Sequence, residues 1–150
     1  MPSSLGGEKV VDPELSVVYV FPMMGTPGMD LPAGWDATPG ARGCSVQSMA
    51  YAQAFEAFSG LGARVYGVSS QPVDELVEAA GRLGLPQELL SDSAGGLRAA
   101  LELPVFELDG ASYLRRMAIG VRGGHIDRVS YPIFPPGSET PDLLAWLKAK

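Results

Sequence analysis

Two short β-forming runs with an amphipathic helix between them constrain this chain more than any other feature. "LSVVYVF" (15–21) and "ARVYGVSS" (63–70) are rich in β-branched and aromatic residues and read as buried strands, the first ended by Pro22. From Cys44 onward, Val46, Ala50, Tyr51, Ala54, Phe55, Phe58 and Leu61 recur at three- and four-residue spacing, the period of a helix face, until Gly60 and Gly62 stop it. A strand–helix–strand unit implies parallel strands with the helix packed across them.

The rest of the chain extends that unit. "QPVDELVEAAGRLGL" (71–85) predicts a second helix, with Pro72 in its first turn and Leu76, Ala79, Ala80 and Leu83 facing inward. "ELLSD" (88–92) reads as a brief strand and "AGGLRAALEL" (94–103) as a short helix. "VFEL" (105–108), "SYLRRMAIGVR" (112–122) and "HIDRVSYPIF" (125–134) read as strands, the last two joined by a hairpin turn at 122–124. "SETPDLLAWLKA" (138–149) closes the chain as a helix capped by Ser138 or Thr140, with Leu143, Leu144 and Leu147 turned to the core. The expected architecture is α/β: a mixed central sheet, parallel in part, with helices on both faces. Residues 1–150 are expected to form a single domain, with 1–14 as a loosely held N-terminal extension.

Composition narrows the function classes. With 46% apolar and 19% charged residues the chain is globular in character. Its net charge of −6 disfavours nucleic-acid binding, which needs a basic stripe. No apolar run approaches the roughly 20 residues that span a bilayer, and no basic start followed by an apolar stretch marks a secretory leader. One cysteine cannot form an internal disulfide, so a reducing, cytoplasmic location is expected. His125 is the only histidine, which leaves no His/Cys metal cluster. There is no C-x-x-C redox pair ("CSVQ" follows Cys44's register instead) and no G-x-S-x-G elbow. No metal or other cofactor is expected.

The candidate site is the lone thiol. Cys44 falls where a loop crowded with Gly and Pro, residues 22–43, gives way to the first helix. Unpaired amides and partial positive charge at a helix start favour an anion, and activated thiols titrate at roughly 3.5–7.5. Arg42 adds positive potential. The plain alternative is a buried cysteine that fills space. A loop this long is often functional; with Met23, Met24, Met29 and Trp35 it reads as a wall of the thiol pocket, an interface, or a surface loop pinned by Trp35.

In order, "SVVYVFP", "PGARGCSVQSMAY", "FSGLGARVYGVSSQ", "GLPQELLSD" and "RRMAIGVRGGHI" resemble a peroxiredoxin, closest to the bacterioferritin-comigratory or Q-type branch, from about residue 15 to the final helix. The resemblance implies a thioredoxin-like fold and a thiol peroxidase reducing hydrogen peroxide or organic hydroperoxides. It makes Cys44 the peroxidatic nucleophile and Arg116, with Arg115 as the fallback, its catalytic partner. It places Phe21, Pro22, Arg42 and Gly43 around the substrate. A guanidinium suits that role because it never titrates at working pH and offers planar donors to a developing oxyanion.

Three departures from the family pattern stand out. Ala37 and Ala41 occupy the positions of the usual proline and Thr/Ser seven and three residues before the cysteine, with Thr38 and Pro39 near but out of register. Met49 stands where many Q-type members have a resolving cysteine. The loop before Cys44 is longer. A one-cysteine mechanism is therefore expected, its sulfenic acid reduced by an external thiol such as thioredoxin or glutathione, in a monomer or homodimer. The alternative is a non-catalytic thiol sensor or interaction protein on the same scaffold.

Overall fold

The computed structural model describes residues 1–149. Among the described residues, seven strands and five helices follow the order β1 (Leu15–Val20), α1 (Cys44–Gln53), α2 (Phe55–Gly60), β2 (Arg64–Ser69), α3 (Val73–Leu83), β3 (Glu88–Ser91), α4 (Gly96–Leu101), β4 (Val105–Leu108), β5 (Ala111–Leu114), β6 (Met117–Arg122), β7 (His125–Ser130) and α5 (Thr140–Ala149). The main sheet runs β3-β2-β1-β6-β7. Its β3-β2-β1 part is parallel, and β6 and β7 are antiparallel. This is the mixed sheet the sequence implied.

Alternation along β1 divides the core. Val17, Tyr19 and Phe21 join Tyr51, Phe58, Leu76, Leu143 and Leu147 under α1, α2, α3 and α5. Val18 and Val20 face the other way with Tyr66, Val68, Leu90 and Ile119, covered by Leu97 of α4 and by Val105 and Leu114 of a β4–β5 hairpin. A strand's side chains point to opposite faces in turn, so both faces being apolar means both are covered. The hairpin turns at Asp109 and Gly110, both at positive φ, the geometry two-residue hairpins require.

Several expected elements are interrupted. The long first helix breaks at Ala54, and its buried face is Cys44, Gln47, Ser48 and Tyr51, while Val46 is 61% exposed. Polar groups go inside because each finds a hydrogen-bond partner there. Residues 112–122 are not one strand: β5 ends at Leu114 and β6 begins at Met117, with Arg115 and Arg116 in the break. The last strand stops at Ser130, because Pro132, Pro135 and Pro136 have no N–H to give a ladder. Neither Ser138 nor Thr140 caps α5 by accepting from an amide; the Thr140 hydroxyl donates to the Gly137 carbonyl.

The N-terminal extension, expected to be loosely held, is tied to the sheet edge. Ser4 N–H donates to Leu89 O at 2.8 Å, Ser91 N–H to Pro2 O at 2.9 Å, and Leu89 N–H to Ser4 Oγ at 2.9 Å. Ser3 Oγ bonds the Glu88 carboxylate. These bonds satisfy backbone groups that the outer side of β3 would otherwise leave bare.

Candidate functional site

Cys44 is the first residue of α1, preceded by Gly43 at φ +100°. A Cβ at Gly43 would overlap Pro136 Cγ, so both the backbone and the neighbouring segment require glycine there. The thiol is 3% exposed. Two donors reach its sulfur at 3.4 Å each, the Met23 N–H and Arg116 Nη2, while Sγ faces the Ala41 carbonyl at 3.7 Å. These donors come from the loop after β1 and from the β5–β6 break, not from the thiol's own helical turn.

Local sequence explains how both donors arrive. Gln71, just beyond β2, clamps Met24 in both directions: its Oε1 accepts from Met24 N–H and its Nε2 donates to Met24 O, each at 3.0 Å. Ser69 Oγ donates to Pro22 O at 3.2 Å. Residues 22–24 are thereby held against the end of β2, with the Met23 amide turned to the sulfur. Arg116 is 4% exposed. Its Nη1 donates to Gln47 Oε1 at 2.7 Å and its Nη2 to Arg42 O at 2.7 Å, with Gly40 O and Ala41 O at 3.3 Å. One guanidinium thus gathers the carbonyls of the loop that leads into α1 and stands beside the thiol.

Burial pushes the Cys44 thiol up from its ordinary range; the positive charge of Arg116, the Met23 N–H and the Arg116 hydrogen bond pull it down without cancelling the effect. The acidified thiol expected from the helix start is therefore corrected. Removing a thiolate from water costs more here than its donors return.

The remaining sequence candidates separate. Arg115 turns to the other side, its Nε donating to Val105 O at 3.1 Å and its guanidinium 5.5 Å from the Phe106 ring centroid. Arg42 points into solvent, pairing with Asp36 at 3.5 Å with both side chains more than 70% exposed; only its carbonyl enters the site. Phe21 is fully buried in the core and supports the site from below. Pro22 contributes its carbonyl to Ser69. Thr38 donates to Gly34 O at 2.8 Å, so its hydroxyl is spent within the loop, and Ala41 is fully buried. Met49 is half-buried on α1 and His125 is exposed at the start of β7.

Sequence reasoning missed Gln47, Tyr51, Glu139, Gln71 and the Met23 amide. Gln47 and Glu139 are 92 residues apart yet bonded at 2.9 Å, a pairing no local pattern encodes. A cavity of about 340 Å³, lined by Cys44, Met23, Met24, Leu31, Trp35 and Arg42, opens on the thiol, so the long loop forms a wall of its pocket. Two more cavities, about 270 and 490 Å³, are both lined by Gly40, Arg116, Ile133 and Phe134.

The fold is thioredoxin-like, the architecture shared by solved structures of peroxiredoxins. Among solved structures the chain is similar to Xanthomonas campestris peroxiredoxin Q (TM-score 0.77, 18% identity, covering 99% of this chain and 88% of that one). It is also similar to peroxidoxin BcpB of Mycobacterium tuberculosis (TM-score 0.78, 19% identity, 99% and 90% covered) and to Xylella fastidiosa PrxQ (TM-score 0.72, 22% identity, 91% and 77% covered). No protein-family model and no curated protein matches the chain. Among the described residues no helix is long and apolar enough to cross a membrane, and no cluster of His, Cys, Asp and Glu could hold a metal.

Proposed function

We propose that this protein is a one-cysteine thiol peroxidase. The observation that carries the reading is the convergence of Arg116 Nη2 and the Met23 N–H on the sulfur of Cys44, a residue that lines a cavity. The thiolate attacks the terminal oxygen of a hydroperoxide; the S–O bond forms as the O–O bond breaks. The leaving oxygen takes a proton and departs as water or an alcohol, and Cys44 is left as a sulfenic acid. An external thiol then condenses with it, releasing water and forming a mixed disulfide, which a second thiol reduces. No second cysteine exists in the chain to do this internally. A reducing compartment such as the cytoplasm would supply the reductant.

Because burial pushes the thiol up, the proposed acceleration does not rest on an enlarged thiolate fraction. A thiolate of higher pKa is intrinsically more nucleophilic, but by only about threefold per unit, against a tenfold loss of ionised fraction. The difference falls to Arg116. Its charge meets the oxygen on which charge develops, and such donors act most strongly where water is excluded.

The apolar lining of the thiol cavity by Met23, Met24, Leu31 and Trp35 accommodates an organic hydroperoxide as well as hydrogen peroxide. One similar protein, the Xanthomonas campestris bacterioferritin comigratory protein, has alkyl peroxide reduction activity. Mixing the reduced protein with one equivalent of hydrogen peroxide should consume the thiol stoichiometrically and yield a dimedone adduct at Cys44. Turnover with thioredoxin, glutathione or a small dithiol should follow. A reaction at neutral pH no faster than that of free cysteine would refute the proposal.

A further inference from the structure

Behind the thiol lies a buried carboxylate that the peroxide reaction does not touch. Glu139, 4% exposed, stands immediately before α5. Its Oε2 accepts from Gln47 Nε2 at 2.9 Å and from the Tyr51 hydroxyl at 2.8 Å, while Oε1 is buried with no partner. Burying a carboxylate is costly, and leaving one of its oxygens bare makes it more so. The segment it belongs to is already fitted to α1 by shape: a Cβ on Gly137 would come within 2.7 Å of the Ala50 Cβ. Packing of this kind does not require a charge.

What the carboxylate does require is one orientation of Gln47. A carboxylate only accepts and a guanidinium only donates. With its Nε2 committed to Glu139, the fully buried Gln47 must present Oε1 to Arg116 Nη1, where it accepts at 2.7 Å. Nη1 fixed there leaves Nη2, on the same rigid plane, to reach the Arg42 carbonyl and the sulfur. We propose that Glu139 is a positioning residue that acts through Gln47 to hold the Arg116 guanidinium against Cys44. Its effect on catalysis rests on the peroxidase reading; its effect on Arg116 does not.

The test uses Glu139→Ala, Glu139→Gln and Gln47→Leu, with two rates and one spectroscopic readout. The rates are those of Cys44 with hydrogen peroxide, which needs Arg116 in place, and with iodoacetamide, which needs only a reachable thiolate. Glu139→Ala should slow the peroxide reaction about tenfold relative to alkylation. Glu139→Gln, which keeps an acceptor for Gln47 and Tyr51, should restore most of the difference. Glu139→Ala in the Gln47→Leu background should add less than twofold, since one route carries both effects. Separately, Arg116 Nη–H signals in 15N NMR should be resolved in the wild type and collapse in Glu139→Ala. If that variant does not fold, Glu139→Gln decides, with a two- to threefold loss in the rate ratio expected. Parallel loss of both rates, additive effects with Gln47→Leu, or unchanged Arg116 signals would overturn the proposal. A wild-type thiol no faster than free cysteine refutes the peroxidase reading instead, and the NMR comparison still decides the role of Glu139.

Discussion

Replacing Arg116 by alanine tests the site most directly, because this one side chain holds the loop before α1 and, in the proposed reaction, also serves the chemistry. The substitution removes donors at 2.7 Å from Gln47 Oε1 and from Arg42 O, and deprives Gly40 O and Ala41 O of contacts at 3.3 Å. Gln47 is fully buried, so orphaning its oxygen alone costs about 1–3 kcal/mol. Stranding the Arg42 carbonyl as well adds a cost of similar kind, so the expected loss is about 2–4 kcal/mol, a large part of the ~5–15 kcal/mol typical of a domain. On the chemical side, deleting a donor to a developing oxyanion lowers a rate by roughly 100- to 1000-fold. Arg116→Lys separates the two effects: it keeps the charge, but a single ammonium cannot serve Gln47 and the sulfur in one plane. Urea unfolding gives the first quantity, and stopped-flow mixing with peroxide, scored by dimedone labelling, gives the second. Expected are a lower midpoint and a rate near that of free cysteine for Arg116→Ala, with Arg116→Lys recovering stability more than rate. A folded Arg116→Ala protein reacting within threefold of the wild type would refute the reasoning.

Alkylation of Cys44 should keep accelerating as pH rises past the free-thiol range near 8.5, and Arg116→Ala should move the midpoint higher still, because Arg116 favours the charged form; a plateau below pH 8 would contradict the desolvation account. Tyr19 is pushed up to about 12 by burial, against opposing hydrogen bonds with Ser48 and Gln87. Its contribution is therefore intact below pH 10 and lost as pH rises through 12, roughly 3 kcal/mol in all. Denaturation followed over that window should be visibly less pH-dependent in Tyr19→Phe, and an identical slope would remove Tyr19 from the account. Gly43→Ala puts a side chain at φ +100° and into Pro136, so it should destabilise by about 1–3 kcal/mol and slow the peroxide step. Unchanged urea midpoints would show that the segment moves aside freely.

The scaffold was legible wherever periodicity was strong. The runs at 15–21 and 63–70 and the helix at 71–85 carry their own signals, and each lies within two residues of the element observed. The helix start at Cys44 was legible because a Gly- and Pro-rich loop meets a helical pattern there. The break at Arg115 and Arg116 was not. "SYLRRMAIGVR" reads as one strand because its apolar pattern runs through the arginines, and the chain departs from it only to deliver a guanidinium to carbonyls more than 70 residues away. Val46 misled for a related reason: helical spacing marks a face as apolar, whereas the face actually buried is held by Gln47 and Ser48 through bonds to Arg116, Glu139 and Tyr19. The thiol's acidity was misjudged because a helix start is visible in sequence and the extent of its burial is not.

Trp35 has an experimental use beyond its packing role. Of the two tryptophans, it alone shares a cavity wall with Cys44; Trp146 sits on α5 beneath the guanidinium of Arg122. A polar oxygen added to the sulfur would alter the surroundings of a shielded indole within the same chamber. Oxidation of the thiol should therefore be readable in real time from Trp35 fluorescence, without a label, and Trp146→Phe would leave Trp35 as the sole tryptophan emitter.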